Sequence, residues 1–334
     1  MSSDNVESVT IMKTESLQAM CSFCQWYPLF SKNALEAIVL PVPKNVCDYL
    51  EHDAFILPSE ATSKITYSNS EWSDGSAVNE LEEDSDFQPT FPDFSRRVQE
   101  VIDKFEAVFI KSNWSAPTDS TWVTPTKTLK CTSLEDVYLL LKSSDRISQD
   151  LSFAKNCNNK ENFIAPCLVL KRWQDVDPCT EFRCFIVNGE LAGISQRDIF
   201  QYYRHIENEK YDIQKDIKSM FMEKVKDKYP ANNYTFDVIR YKKDKVKIVD
   251  FGLLNKSVTE GTLFTLQELQ TDIPEAPEFR FIAEDMGIQP KTTTHLCVPR
   301  EVNEFFQATG GMSMIDAIQK EVQDQGKEEN ASIS

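Results

Sequence analysis

The sequence predicts an α+β fold, and three observations carry that prediction. Apolar residues recur at helical spacing in two long stretches, at Phe94, Val98, Val101, Ile102 and Phe105, and at Ile206, Ile213, Ile217, Phe221 and Val225. An Asn188-Gly189 pair lies between two runs of alternating apolar residues, the preferred sequence for a two-residue type I′ hairpin. A second pair of strand-like runs flanks Lys243-Asp244.

Taken in order, residues 1–20 are polar and expected to form a disordered N-terminus. Residues 21–57 form a folded segment rich in Trp26, Tyr27, Phe30, Ile38, Val39 and Leu40, with Pro41 and Pro43 as boundaries. Residues 58–90 form an insertion whose acidic part, 71–87, reads as a solvated linker or as a partner-binding motif; Glu71 to Asp86 carries seven acids and no base. Residues 91–167 are expected to make one lobe. It starts with a helix after Pro92, continues with a strand from Val108 towards Trp114, and adds a helix opened by the cap-like Ser133…Asp136 ahead of Val137, Leu140 and Leu141. Residues 168–300 are expected to make a second lobe, with two hairpins around a long amphipathic helix near Gln201–Lys226. Residues 301–334 carry a short helix at Met314, Ile315 and Ile318 and then a polar tail expected to be disordered after Gln325.

Composition narrows the function. The chain has 334 residues, 41% of them apolar, enough for one large domain or two smaller ones. Its 36 basic residues face 53 acidic ones, for a net charge of −17. That charge repels phosphate backbones and anionic lipid, so neither nucleic acid nor a membrane surface is an expected partner. No apolar run approaches the roughly 18 residues of a membrane span. Nine cysteines without scaffold spacing, and a polar start, point to a reducing compartment, most simply the cytosol. The sequons at Asn113, Asn233, Asn255 and Asn330 then have no glycan meaning. Neither GxxxxGK[ST] nor GxGxxG occurs, which excludes the P-loop and Rossmann phosphate cradles. Cys21 and Cys24 make one CxxC without a second pair, too little for zinc, and His52, His205 and His295 lie apart from any nucleophile signature.

The hairpins supply the candidate site. A tight turn at Asn188-Gly189 predicts the pairs Val187–Glu190, Phe185–Ala192, Arg183–Ile194 and Glu181–Gln196. Phe182, Cys184, Ile186 and Leu191 then face a core. Glu181, Arg183 and Gln196 group on the other face, as part of a site or as an exposed polar patch. A turn at Lys243-Asp244 sets Asp237 across from Asp250, on a face shared with Ile239, Tyr241, Val246 and Ile248. Two carboxylates so opposed lie about 5 Å apart at Cβ and repel. A divalent cation relieves that repulsion, and Mg²⁺ binds through one or two carboxylates plus substrate phosphates. A shared proton, separate salt bridges or a register slip would relieve it too. Lys111, Lys171, Arg172 and Arg183 are the candidate phosphate ligands. Trp173 reads as a purine-packing ring or a core aromatic.

Several strings, in order, resemble the eukaryotic cell division cycle protein 123 family. They are KSNWSAP (Lys111–Pro117), LVLKRW (Leu168–Trp173), EFRCF (Glu181–Phe185), GISQRD (Gly193–Asp198) and FDV…VDF (Phe236–Phe251), preceded by WYP at Trp26–Pro28 and VLPVP at Val39–Pro43. The resemblance implies an ATP-grasp-like fold, two lobes with antiparallel sheets enclosing a nucleotide cleft. It implies an ATP-binding assembly chaperone that engages the gamma subunit of eukaryotic translation initiation factor 2, and a monomer on its own. Site roles follow by motif: Lys111, Trp114 and Ala116 in the phosphate pocket; Lys171, Arg172 and Trp173 at the adenine-side linker; Glu181 and Arg183 facing the nucleotide; Asp237 and Asp250 on Mg²⁺. No residue is assigned as catalytic. Two positions depart from the family pattern. Gly252 stands where an Asn metal ligand is usual, and Thr118 where an Arg is common, which implies a thinner metal shell and less positive charge. The rival readings are an ATP-grasp carboxylate–amine ligase and a scaffold of that fold which binds no nucleotide.

Overall fold

The computed structural model describes residues 16–52, 54–62, 88–157, 164–259, 261–271 and 276–285. The acidic stretch 71–87 and the helix expected at Met314–Ile318 lie outside them. All described residues belong to one compact unit, Met1–Lys291.

Residues 16–20, within the N-terminus expected to be disordered, are helical, because Leu17 and Met20 pack against the core; α1 (Phe23–Phe30), β1 (Ala37–Pro41) and α2 (Lys44–Glu51) follow. There follow α3 (Pro92–Phe105), β2 (Val108–Lys111), β3 (Lys130–Cys131), α4 (Leu134–Lys142), α5 (Asp145–Cys157) and β4 (Cys167–Arg172). The remaining elements are β5 (Glu181–Val187), β6 (Glu190–Gln196), α6 (Arg204–Met220), β7 (Tyr234–Lys242), β8 (Lys245–Leu253), α7 (Lys256–Thr259), α8 (Leu266–Thr271) and β9 (Glu278–Arg280). The fold is α+β, built on two sheets. One has the order β1-β4-β2-β3, and the other β8-β7-β5-β6-β9. Pairing is antiparallel except between β6 and β9. The lobe boundary expected at residue 167 falls at the start of β4, and β4 is hydrogen-bonded between β1 and β2, so the first sheet runs on through Arg172.

Local chemistry accounts for the helices. Pro92 opens α3 at a position where its missing N–H costs nothing, and Phe94, Val98, Val101, Ile102 and Phe105 are buried as one stripe. Each such burial contributes about 1.5–3 kcal/mol against exposure. Ser133 and Asp136 form the reciprocal capping box that starts α4. In α6 the predicted stripe Ile206, Ile213 and Ile217 is buried, and Phe221 and Val225 continue it through a single π-helical turn, Phe221–Val225.

Alternation then sorts the strands. In β2 and β4, Val108, Ile110, Leu168 and Leu170 pack into a core with α3 and α4, while Val169 packs into the core built around α1, α6 and the second sheet. Lys111 and Lys171 project with Val169, on the side facing the second sheet. Phe182, Cys184, Ile186 and Leu191 lie in that second core, as predicted.

Two bulges correct the predicted register. Asn188 and Gly189 both adopt positive φ, 53° and 80°, as a type I′ turn requires, and Val187–Glu190 pair as expected. Beyond Ile186–Leu191, however, Ala192 is an extra residue. Phe185 therefore pairs with Gly193, Arg183 with Ser195 and Phe182 with Gln196. Gln196 consequently leaves the Glu181–Arg183 face. Its buried amide donates to the carbonyls of Asp198 and Gln201 and accepts from the Ile282 N–H. In the second hairpin Tyr241 is extra on β7 and Val249 extra on β8, and the two cancel. Asp237 still opposes Asp250, but Val246 and Ile248 turn to the α6 face, where Ile248 joins Phe236, Val238 and Phe251.

Candidate functional site

Six of the predicted residues converge between the two sheets. Lys111 at the end of β2 is 2% exposed and its ammonium donates to Asp250 Oδ2 on β8. Arg183 on β5 grips Asp237 on β7 with two parallel hydrogen bonds, Nε to Oδ1 and Nη2 to Oδ2, each 2.7 Å. Lys171 on β4 is also buried and donates to the carbonyl of the bulged Val249 at 2.7 Å. Glu181 precedes Arg183 on the same face of β5, opposite Ile239. The site thus holds three cations and three carboxylates, with the lysines from one sheet and the remaining groups from the other.

The electrostatics follow from burial. Burial raises the Asp237 carboxyl, but the Arg183 charge and its hydrogen bonds, helped by Arg197, bring it below the usual range. Glu181 has no such partner among the described residues; burial and then the nearby Asp237 charge raise its pKa. Burial pushes Lys171 down to about 8, against the pull of Asp250.

The mutual repulsion of Asp237 and Asp250 is therefore relieved by separate salt bridges, one of the alternatives that the sequence left open. Among the described residues no group of three His, Cys, Asp or Glu side chains could hold a metal alone. Gly252 offers no ligand, and a Cβ there would stand 3.0 Å from Thr235 Oγ1. The donor set therefore fits Mg²⁺ only as it arrives on phosphates, with the two aspartates completing its shell. It fits a phosphate chain directly, since Lys111, Lys171 and Arg183 converge.

The other four predicted residues make the following contacts. Arg172 lies on the other face of β4, bonded to Glu36 through Nε at 3.0 Å and stacked over Phe105. Trp114 donates to the Gln18 carbonyl and packs edge-on against Phe153. Trp173 donates to Asp175 Oδ1 at 3.0 Å. Ala116 contributes a carbonyl that accepts from the Thr118 N–H.

Two contributors escaped the sequence reading. Arg197, just past β6, approaches Asp237 Oδ2 at 3.7 Å. Phe23 forms an aromatic floor, with the Lys111 and Lys171 ammoniums 5.4 and 4.9 Å from its ring centre. Arg197 sits inside the GISQRD string, so its charge was visible. Phe23 gave no signal, because its position depends on Asn113, whose carbonyl accepts the Phe23 N–H at 2.8 Å.

The D123 family profile matches residues 26–306. The chain is 33% identical over 322 residues to a Xenopus laevis protein named translation initiation factor eIF2 assembly protein, covering 89% of this chain and 93% of that one. It is 36% identical over 256 residues to cell division cycle protein 123 of Yarrowia lipolytica, covering 75% and 67%. Among solved structures, Cdc123 from Schizosaccharomyces pombe superposes with a TM-score of 0.62 at 28% identity, over 79% of this chain and 97% of that one. A profile that spans most of the chain, and relatives matched along most of their length, establish that this chain belongs to the D123 family.

Proposed function

We propose that the chain binds Mg–ATP between its two sheets and, in that state, assists assembly of eukaryotic translation initiation factor 2 by engaging its gamma subunit. The observation that carries the nucleotide half is the convergence of Lys111, Lys171 and Arg183 from two sheets beside the opposed Asp237 and Asp250. The assembly half rests on the names of relatives such as the Xenopus laevis protein. On this reading Lys111, Lys171 and Arg183 would hold the phosphates, and Asp250 and Asp237 would hold the Mg²⁺ that neutralises them. The nucleotide thereby ties the sheets into one arrangement for the partner to recognise.

Thermal unfolding with and without Mg–ATP tests the first half. At a hundredfold excess over Kd, binding adds about 2.7 kcal/mol to stability. An unmoved transition would favour a scaffold without nucleotide, a reading supported by the fact that both aspartates are already ion-paired. Capture from cell extract tests the second half; the gamma subunit should be recovered, and its absence would remove the partner.

A further inference from the structure

Cys24 is surrounded in an unusual way for a free thiol. It is the second residue of α1, where helix N–H groups point outward and favour negative charge on a nearby sulfur. Its half-buried Sγ lies 3.1 Å from the Ser22 hydroxyl and receives the Asn113 amide at 3.5 Å. Cys167, the first residue of β4, is held by the same Asn113 side chain. Asn113 holds both cysteines in place. Its amide nitrogen donates to Ser22 Oγ and to the Ala165 carbonyl, each at 3.0 Å, and its Oδ1 accepts the Cys167 N–H at 2.9 Å. The other member of the CxxC is not part of this arrangement, since Cys21 is buried and bonded to the Tyr229 hydroxyl at 3.4 Å.

We propose that Cys24 and Cys167 are a peroxide-oxidisable dithiol, whose oxidation ties the start of α1 to the start of β4. The Cys24 thiolate attacks one oxygen of a hydroperoxide; the O–O bond breaks, an S–O bond forms, and hydroxide or alkoxide leaves with the electron pair. The Cys167 sulfur then attacks the sulfenic sulfur of Cys24. The S–O bond breaks, the Cys167 proton leaves with the departing hydroxide as water, and the disulfide forms. Two thiols are oxidised, and one peroxide is reduced to water or an alcohol plus water.

The surroundings assign the two roles. Hydrogen bonding from Cys167, ahead of opposing burial, brings Cys24 down to about 6, so it is mostly thiolate at neutral pH. Cys167 is pushed upward by donating that bond and by burial, so it attacks only after Cys24 is oxidised, by a step that needs no solvent access. Phe23, adjacent to Cys24, carries the Lys111 and Lys171 ammoniums on its ring, so a change in α1 reaches the charged site directly.

The test is peptide mapping by mass spectrometry after treatment with one equivalent of hydrogen peroxide, with the full chain otherwise untouched. The expected product is a Cys24–Cys167 disulfide. In Cys167→Ser, dimedone should trap a sulfenic acid on Cys24, while Cys21→Ser should leave the disulfide unchanged. Iodoacetamide labelling of Cys24 should be half-maximal near pH 6, against about 8.5 for an ordinary thiol. Oxidation of Cys24 no faster than that of the buried Cys47 and Cys131, or pairing of Cys24 with Cys21, would overturn the proposal. None of these readouts involves nucleotide, so they stand whether or not Mg–ATP binds.

Discussion

Two buried charge clusters occupy opposite faces of strand β7, and they differ in where their partners come from. Arg240 reaches Asp216 Oδ2 through Nε and Glu209 Oε2 through Nη1, each at 2.7 Å, and both acids belong to α6. The Arg240 and Asp216 side chains are each 2% exposed. Three residues earlier, Asp237 pairs with Arg183 of the same sheet, while its neighbour Asp250 pairs with Lys111 of the other sheet. The two aspartates are 20% and 24% exposed. A pair closed between one sheet and its own helix can only hold those two elements together. A pair shared between two sheets, and open to water on one side, can exchange partners.

That contrast can be broken most easily at Arg240. Arg240→Met strands the buried Asp216 without its partner and should cost about 3–5 kcal/mol in a denaturant titration, with Mg–ATP affinity of the folded protein unchanged. A loss below about 1 kcal/mol would make the two clusters equivalent.

The next effect depends on pH. Lys171 is lowered to about 8 in the fold, below the ordinary lysine value. Between those two values the unfolded chain holds a proton that the folded chain has released, so this residue's contribution to stability rises with pH across that window and is constant below it. Wild type should therefore gain up to about 3 kcal/mol on Lys171→Met between roughly pH 8 and pH 10.4. A flat difference would mean that water reaches the ammonium.

Why some of this was legible and some was not has a physical basis. The stripe of α3 and the capping box of α4 depend on local spacing, and the Asn188-Gly189 turn depends on backbone preference, so each could be read from neighbouring residues. The opposition of Asp237 and Asp250 was read correctly through a uniform ladder that does not exist; Tyr241 and Val249 bulge on opposite strands and restore the count. The single bulge at Ala192 has no compensating partner, which is why Gln196 was misplaced. Its one trace was Gly193, where a Cβ would stand 2.8 Å from the Phe264 ring, since a glycine inside a strand often marks close approach. Arg172 and Trp114 have the right composition for phosphate and base contacts, but strand alternation and the packing of α5 turned them away.

On the exchangeable side, Asp250→Ala should weaken Mg–ATP binding about 10- to 100-fold by calorimetry, the value of one charge-assisted contact. Its stability loss should be smaller than that of Arg240→Met; unchanged affinity would remove Asp250 from the site. The smallest effect is at Gly252. Gly252→Asn should strengthen the Mg²⁺ dependence of ATP binding about threefold, under 1 kcal/mol. Thr235 must first yield, so Thr235→Ala is the companion variant. No gain in either background would show that water fills the position equally well.

The seating of Asn113 also bears on how the protein can be produced. Asn113-Trp114-Ser115 is an acceptor for N-linked sugar, yet the Asn113 side chain is 1% exposed and its amide is committed to Ser22 and Ala165. An oligosaccharide attached there during passage through a secretory pathway would occupy the space where α1 docks on β4. Export of this chain through a glycosylating host therefore sets maturation against sugar transfer, and replacing Ser115 to remove the acceptor would also remove the hydroxyl that donates to Asp150 Oδ1.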